Sequence, residues 1–359
     1  MHPPDRARLT IDLSALAHNH AVLRAEANGA EVAPVVKSDA YGLGAGPIAR
    51  RLHEDGARSF FVARLDEGEA LRTELGDRDA RIFVLDGLTT GTAPRFAAAR
   101  LVPVLNTLPQ VAAASAWGLA HGPLQAALHV DTGMNRQGLT PEVLAALAQT
   151  ADRLRGLEIV LLMSHLGSAS EIDDPRSADQ LAAFQAVRPL FPRVQASLAA
   201  SAGIFRGPEY CFDLVRPGIS LYGGGPFERP DSRIKAVAAL TAPILDIRNL
   251  RPGERLAYGR MFTADRPVRV AIVGAGYTDG VSRSAYGRAY AWAAGARRPV
   301  LAVTMDLLAI EIGDAPLIVG EPVELLGPNA LLDNQAAAGG TVAHEVLIRL
   351  SRRAERLYL

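Results

Sequence analysis

Cysteine is almost missing from this chain: Cys211 is the only one in 359 residues. A single thiol can close no internal disulfide and build no cysteine metal cage, which suits a reducing cytoplasm. An excess of either charge is missing too, with 38 Lys and Arg against 38 Asp and Glu. That balance gives no electrostatic case for a nucleic acid or a membrane surface as partner. Long apolar runs are also lacking, and none approaches membrane-spanning length. The opening "MHPPDRARLTIDL" has no apolar core of the kind a signal peptide needs. There is no HExxH, and "AHNHA" (17–21) sets His18 and His20 two apart, on different faces of a helix. Both are expected to be solvated, and no metal site is expected.

Apolar residues make up 49% of the chain, enough for a well-cored soluble protein. Its length exceeds one ordinary domain and predicts two, or one α/β barrel with an addition. From residue 30 to about 225, short apolar runs alternate with longer alanine-rich amphipathic stretches. The runs are "VAPVV" (32–36), "FFVA" (60–63), "IFVL" (82–85), "LVPVL" (101–105), "QAALHV" (125–130), "IVLLM" (159–163), "VQASLA" (194–199) and "FDLV" (212–215). Helix candidates between them include "DEGEALRTEL" (66–75) and "TPEVLAALAQTADRL" (140–154). Continuous apolar runs are the mark of parallel strands buried on both faces, and roughly eight strand–helix units predict a TIM-like (β/α)8 barrel.

After about residue 236 the texture changes. "AVAALTAPILDIRNL", "RVAIVGAG", "PVLAVTMDLLAIEI" and "PVELL" read as strands separated by short turns. A mostly-β C-terminal domain is expected over 233–359, behind a barrel over 1–232. The polar segment "FERPDSR" reads as the linker.

The C-terminal ends of barrel strands face the active site, and five of the runs end there in polar residues. Lys37 follows the first, "DTGMNR" (131–136) the fifth and "SHLGS" (164–168) the sixth. Ser201 follows the seventh and "RPG" (216–218) the eighth. One lysine at a strand end is ordinarily a snorkelling surface residue, but five polar ends at one mouth favour a site. A buried lysine has a lowered pKa and becomes nucleophilic toward a carbonyl, so Lys37 is a candidate Schiff-base lysine. Glycines and the late barrel loops can supply N–H groups to a phosphate. A lysine imine beside a phosphate site is what pyridoxal 5'-phosphate requires.

"VVKSDAYGLGA" resembles the cofactor-lysine motif of the alanine racemase family, the fold-type III pyridoxal-phosphate enzymes. "HVDTGMNRQGL" (129–139), "MSHLGSAS" (163–170), "SLAASAGIF" (197–205), "DLVRPGISLYG" (213–223), "LAYGRMF" (256–262), "GAGYTDG" (274–280) and "VTMD" (303–306) follow in that family's order. The resemblance spans essentially the whole chain. It implies an isomerase that interconverts L- and D-alanine, supplying D-alanine for biosynthesis, in a homodimer with shared active sites. By the same resemblance Lys37 carries the imine and is one acid/base, and Tyr258 of a partner subunit is the other. Inverting a carbon needs one such group on each face. Arg136 and the backbone at Met305 would hold the substrate carboxylate, with Tyr277 also at the substrate. Tyr41, Ser201, Gly218, Ile219 and His344 would hold the phosphate. His165 would pack on the cofactor ring and connect to Arg216. A guanidinium opposite the pyridine nitrogen can only donate, which leaves that nitrogen unprotonated and favours racemisation over transamination.

Four positions depart from the family pattern. Leu43 stands in place of histidine, His129 in place of a lysine that orients the carboxylate-binding arginine, Ala200 in place of asparagine, and His344 in place of tyrosine. They bear on substrate preference and cofactor affinity, not on reaction type. A racemase for serine or a broader set of amino acids is the nearest alternative. A fold-type III decarboxylase is disfavoured by "DTGMNR" and the "AYG" tyrosine. A non-catalytic pyridoxal-phosphate carrier would lack segment 236–359. A dehydrogenase reading of "RVAIVGAGYTDG" fails because its glycines are not spaced G-x-G-x-x-G.

Overall fold

The computed structural model describes residues 6–259, 261–350 and 352–359. Contacts divide them into two units.

The first unit comprises residues 20–40 and 44–221. Six strands, Ser59–Val62, Arg81–Val84, Leu101–Leu105, Leu124–His129, Leu157–Met163 and Gln195–Ser197, pair in parallel in chain order. Glu31–Val32 pairs in parallel with Leu214–Val215, and bridges Val35 to Phe61 and Ala200 to Arg216 join this pair to the six. The result is a closed ring of eight parallel strands with helices between them, the expected (β/α)8 barrel. Every residue of Ser59–Val62 and Leu101–Leu105 is buried. Helices cover one side of each strand and the barrel interior the other, so these segments carry no polar alternation. Phe61 and Phe83, on neighbouring strands, stack with centroids 4.6 Å apart.

The second unit comprises residues 6–19, 41–43 and 222–359. Its main sheet runs in the order Val268–Val273, Leu308–Glu311, Ala296–Val303, Tyr290–Ala293, Pro322–Leu326, Ala238–Leu250, Arg8–Ile11 and Glu355–Tyr358. The long strand Ala238–Leu250 also pairs with Val268–Val273, so part of the sheet closes on itself. Arg8–Ile11 lies antiparallel to 238–241 and parallel to Glu355–Tyr358. A barrel beginning at residue 1 is therefore corrected at its start, because this strand finds its hydrogen bonds in the β unit. The short segment 41–43 joins the same unit: Arg356 donates to the Gly42 carbonyl (2.7 Å) and the Tyr358 hydroxyl to that of Leu43 (2.9 Å).

The expected solvation of His20 is also corrected. On the helix Leu13–Glu26, Leu16, His20 and Leu23 share one face, and all three are buried. His20 is 2% exposed, and its Nε2 meets no hydrogen-bond partner among the described residues. Burial, with Arg24 adding to it, pulls its pKa down to about 4. His18 is half-buried, with Nε2 3.1 Å from the Arg233 carbonyl. Among the described residues no helix is long and apolar enough to cross a membrane.

Candidate active site

Lys37 stands half-buried at the end of the first barrel strand. Desolvation lowers its pKa, and Arg136 lowers it further, against opposing pulls from Glu67 and Asp86. The four residues after it, Ser38, Asp39, Ala40 and Tyr41, all have φ between 51° and 57°. Left-handed backbone costs a non-glycine residue roughly 1–2 kcal/mol each, and such strain concentrates at functional sites. The reversal thus starts at Ser38, ahead of Gly42 and Gly44. Specific hydrogen bonds hold it: Ser38 N to Glu67 Oε1 (2.8 Å), Ala40 N to Val36 O (2.9 Å) and Ala45 N to Asp39 Oδ1 (2.8 Å).

Arg216 ends the eighth strand and is 3% exposed. Its Nη1 donates to Ser197 Oγ, and its Nη2 to the carbonyls of Ser164 (2.5 Å) and Leu198 (3.3 Å). Desolvation pulls its pKa down to about 9, which still leaves it charged at neutral pH. Nη2 also lies 3.4 Å from His165 Nδ1. Because a guanidinium only donates, His165 Nδ1 must accept there. Desolvation, followed by Arg216, drives the His165 pKa well below its ordinary value, so the ring is neutral with its proton on Nε2. The buried Gln180 fixes this loop, donating to the His165 carbonyl (3.0 Å) and accepting from Gly167 N (2.7 Å).

Ser201 Oγ accepts the N–H groups of Gly218 (3.0 Å) and Ser220 (3.2 Å), which gathers Ser201, Gly218 and Ile219 at one place. Its own O–H remains to donate elsewhere. Beside it Ser220 Oγ is buried and meets no partner among the described residues. A buried hydroxyl without a partner is costly unless something else supplies one. Ser220 was missed by sequence reading; its position in "RPGIS", next to Ile219, was the available signal. An acceptor-rich phosphate fits this pair of hydroxyls, and an aldehyde fits the depressed Lys37 amine. The residues present thus suit pyridoxal phosphate.

His129 ends the fifth strand. Asn106 spends its amide hydrogens on the carbonyls of Leu85 and Val104, both at 2.9 Å, so its Oδ1 is an acceptor toward His129 Nδ1 at 2.7 Å. Desolvation and Arg216 lower the His129 pKa to about 4. His129 is therefore neutral, with its proton on Nδ1 and a lone pair on Nε2. Arg136 is exposed in the following loop, where Asp131 Oδ1 accepts from Gly133 N (2.9 Å) and Met134 N (2.8 Å).

In the β unit, Tyr258 is 75% exposed in the turn between Arg255–Leu256 and Phe262–Thr263. Tyr277 and Met305 are exposed and adjacent, with Tyr277 N donating to the Thr304 carbonyl (3.0 Å). Tyr41 is buried against Tyr222 and His344, with centroids 4.8 and 5.7 Å away. His344 itself is exposed, on the helix Ala343–Arg349.

Family models match in the same order as the two units. The alanine racemase N-terminal domain matches residues 11–226, and the alanine racemase C-terminal domain matches 237–358. A catabolic alanine racemase of Agrobacterium fabrum is 42% identical over 356 residues, covering 98% of this chain and 92% of its own. An alanine racemase of Rhodospirillum rubrum is 43% identical, with 98% and 96% covered. Among solved structures, the Bartonella henselae alanine racemase with covalently bound pyridoxal phosphate superposes with a TM-score of 0.91 at 32% identity, covering 99% of this chain and all of the other. The biosynthetic alanine racemase of Pseudomonas aeruginosa does so with a TM-score of 0.91 at 34% identity over both full chains. An eight-stranded barrel with a lysine at the end of its first strand, a β unit after it, and agreement over the full length have one reading: this chain belongs to the alanine racemase family.

Proposed function

We propose that this protein racemises alanine with pyridoxal 5'-phosphate as resident cofactor. The observation that carries the reading is Lys37, an amine of depressed pKa in the same barrel as the buried Arg216, its neighbour His165 and the Ser201–Ser220 hydroxyls. When bound, the cofactor withdraws electrons from the substrate α-carbon and makes its C–H acidic.

Lys37 Nζ would hold the cofactor aldehyde and, as a free amine, would move the α-proton on one face. Tyr258 Oη, supplied by a second copy of the chain, moves it on the other. Its 75% exposure supports a tyrosine that faces out of its own subunit. Arg216 would offer an N–H to the ring nitrogen, and its contacts with Ser197 and Ser164 hold the guanidinium in place. His165, neutral and accepting from Arg216, would pack against the ring. Ser201, Ser220, Tyr41, His344 and the backbone at Gly218 and Ile219 bind the phosphate. Arg136 and the Met305 N–H hold the carboxylate, with Tyr277 beside them. The His129 Nε2 lone pair offers Arg136 an acceptor where the family pattern has a lysine. Borohydride reduction of the loaded enzyme, followed by peptide mapping, tests the assignment. Pyridoxyl is expected on Lys37, and label on any other lysine overturns it.

A further inference from the structure

In the β unit, the segment 276–279 and the turn 304–306 are joined by a network that extends well beyond the two side chains exposed there. Gly276 lies flat against the second turn: a Cβ on it would sit 2.4 Å from the Thr304 carbonyl oxygen and 2.3 Å from that of Met305. The Thr304 carbonyl accepts from Tyr277 N (3.0 Å), and the Met305 carbonyl accepts from Thr278 N (3.1 Å) and Thr278 Oγ1 (2.8 Å). In a trans peptide the N–H points opposite to the preceding C=O. With the Thr304 C=O pinned toward Tyr277, the Met305 N–H is therefore turned away from that segment. Among the described residues it meets no acceptor.

Behind this pair sits Asp279, 2% exposed. One of its oxygens accepts from Gly276 N (2.9 Å) and the other faces Arg353 Nε at 3.5 Å. Arg353 Nη1 reaches Thr278 Oγ1 (2.8 Å) and pairs with Asp306 on the second turn. One guanidinium thus ties a buried carboxylate, the Thr278 hydroxyl and the next turn into a single unit, the fork geometry that arginine provides and lysine does not.

We infer that Asp279 and Arg353 are positioning residues that fix the direction of the Met305 N–H, and with it the affinity of the enzyme for the substrate carboxylate. This rests on the reading above, in which that N–H binds the carboxylate. Neither residue touches substrate. A carboxylate hold that is equal in ground and transition states appears in KM and not in kcat.

The test uses the pyridoxal-phosphate-loaded enzyme, with acetate as the carboxylate probe. Arg353→Met and Asp279→Asn should each weaken acetate binding about tenfold, the scale of a misaligned hydrogen bond to a charged group. KM for both alanine enantiomers should rise by the same factor with kcat nearly unchanged, and Arg353→Lys should restore part of the loss. Thr278→Val, a milder change of similar shape, should act in the same direction and serves if the charged-site variants do not fold. Acetate affinity unchanged within about twofold in the folded variants would reduce the network to simple scaffolding and overturn the inference. Hydrogen exchange in the parent separates the two levels: saturating acetate should slow exchange at 303–306. Protection in the parent with unaffected variants refutes the positioning role alone. No protection in the parent refutes the Met305 reading, and the inference with it.

Discussion

His20 makes the stability of the barrel unit dependent on acid. Its pKa is about 4 in the folded chain against an ordinary value of 6.5. The folded state keeps the ring neutral, so between these values the unfolded chain binds more protons and stability rises with pH. The contribution is fully present above about pH 6.5 and is lost as pH falls toward 4. Two and a half pH units correspond to about 3 kcal/mol at full protonation, and to about 2 kcal/mol between about pH 7.5 and pH 5. That is a large part of a typical folding stability of about 5–15 kcal/mol. His129, with the same pKa of about 4, should add a similar amount. His20→Leu removes the titration together with the unpartnered Nε2, so near neutral pH it should be neutral or stabilising. Urea midpoints at the two pH values, followed by Trp117 fluorescence in a Trp292→Phe background, read the barrel unit separately. The variant should lose about 2 kcal/mol less than its parent on acidification. A loss equal to the parent's would show that His20 is not held neutral by burial, and the reasoning would fail.

Tyr258→Phe should slow racemisation by about 10²–10⁴-fold, the usual range for a lost general acid–base group, while pyridoxal phosphate absorbance stays bound to the protein. An unchanged rate would make Tyr258 a surface tyrosine only. Mixing Lys37→Ala chains with Tyr258→Phe chains should restore one working site in each mixed dimer, measured as activity after co-refolding; dead mixed dimers would refute sharing between subunits. His344→Tyr should tighten cofactor binding by at most roughly tenfold, the worth of one neutral hydrogen bond, and shift kcat/KM toward alanine over larger amino acids. If titration and a substrate panel match the parent, the histidine is a neutral replacement.

The order of amino acids is enough to specify the barrel, because strands covered on both faces must be apolar throughout. "FFVA", "IFVL" and "LVPVL" each coincide with a strand to within a residue or two. The outline of the site is legible in the same order, since a polar residue directly after such a run stands at the barrel's C-terminal mouth. Lys37 and Arg216 were legible in this way. The rest depends on contacts between residues distant in the chain. Arg8–Ile11 reads as a strand, but its partners lie more than 200 residues away, and no local pattern names them. Ser, Ala and Tyr seldom adopt left-handed backbone and Asp only somewhat more readily, so the turn after Lys37 depends on contacts such as those from Glu67 and Asp39. The spacing of His18 and His20 says that they face differently, not which face is covered. The proton positions on His129 and His165 follow from Asn106 and Arg216, partners brought beside them only by closure of the barrel.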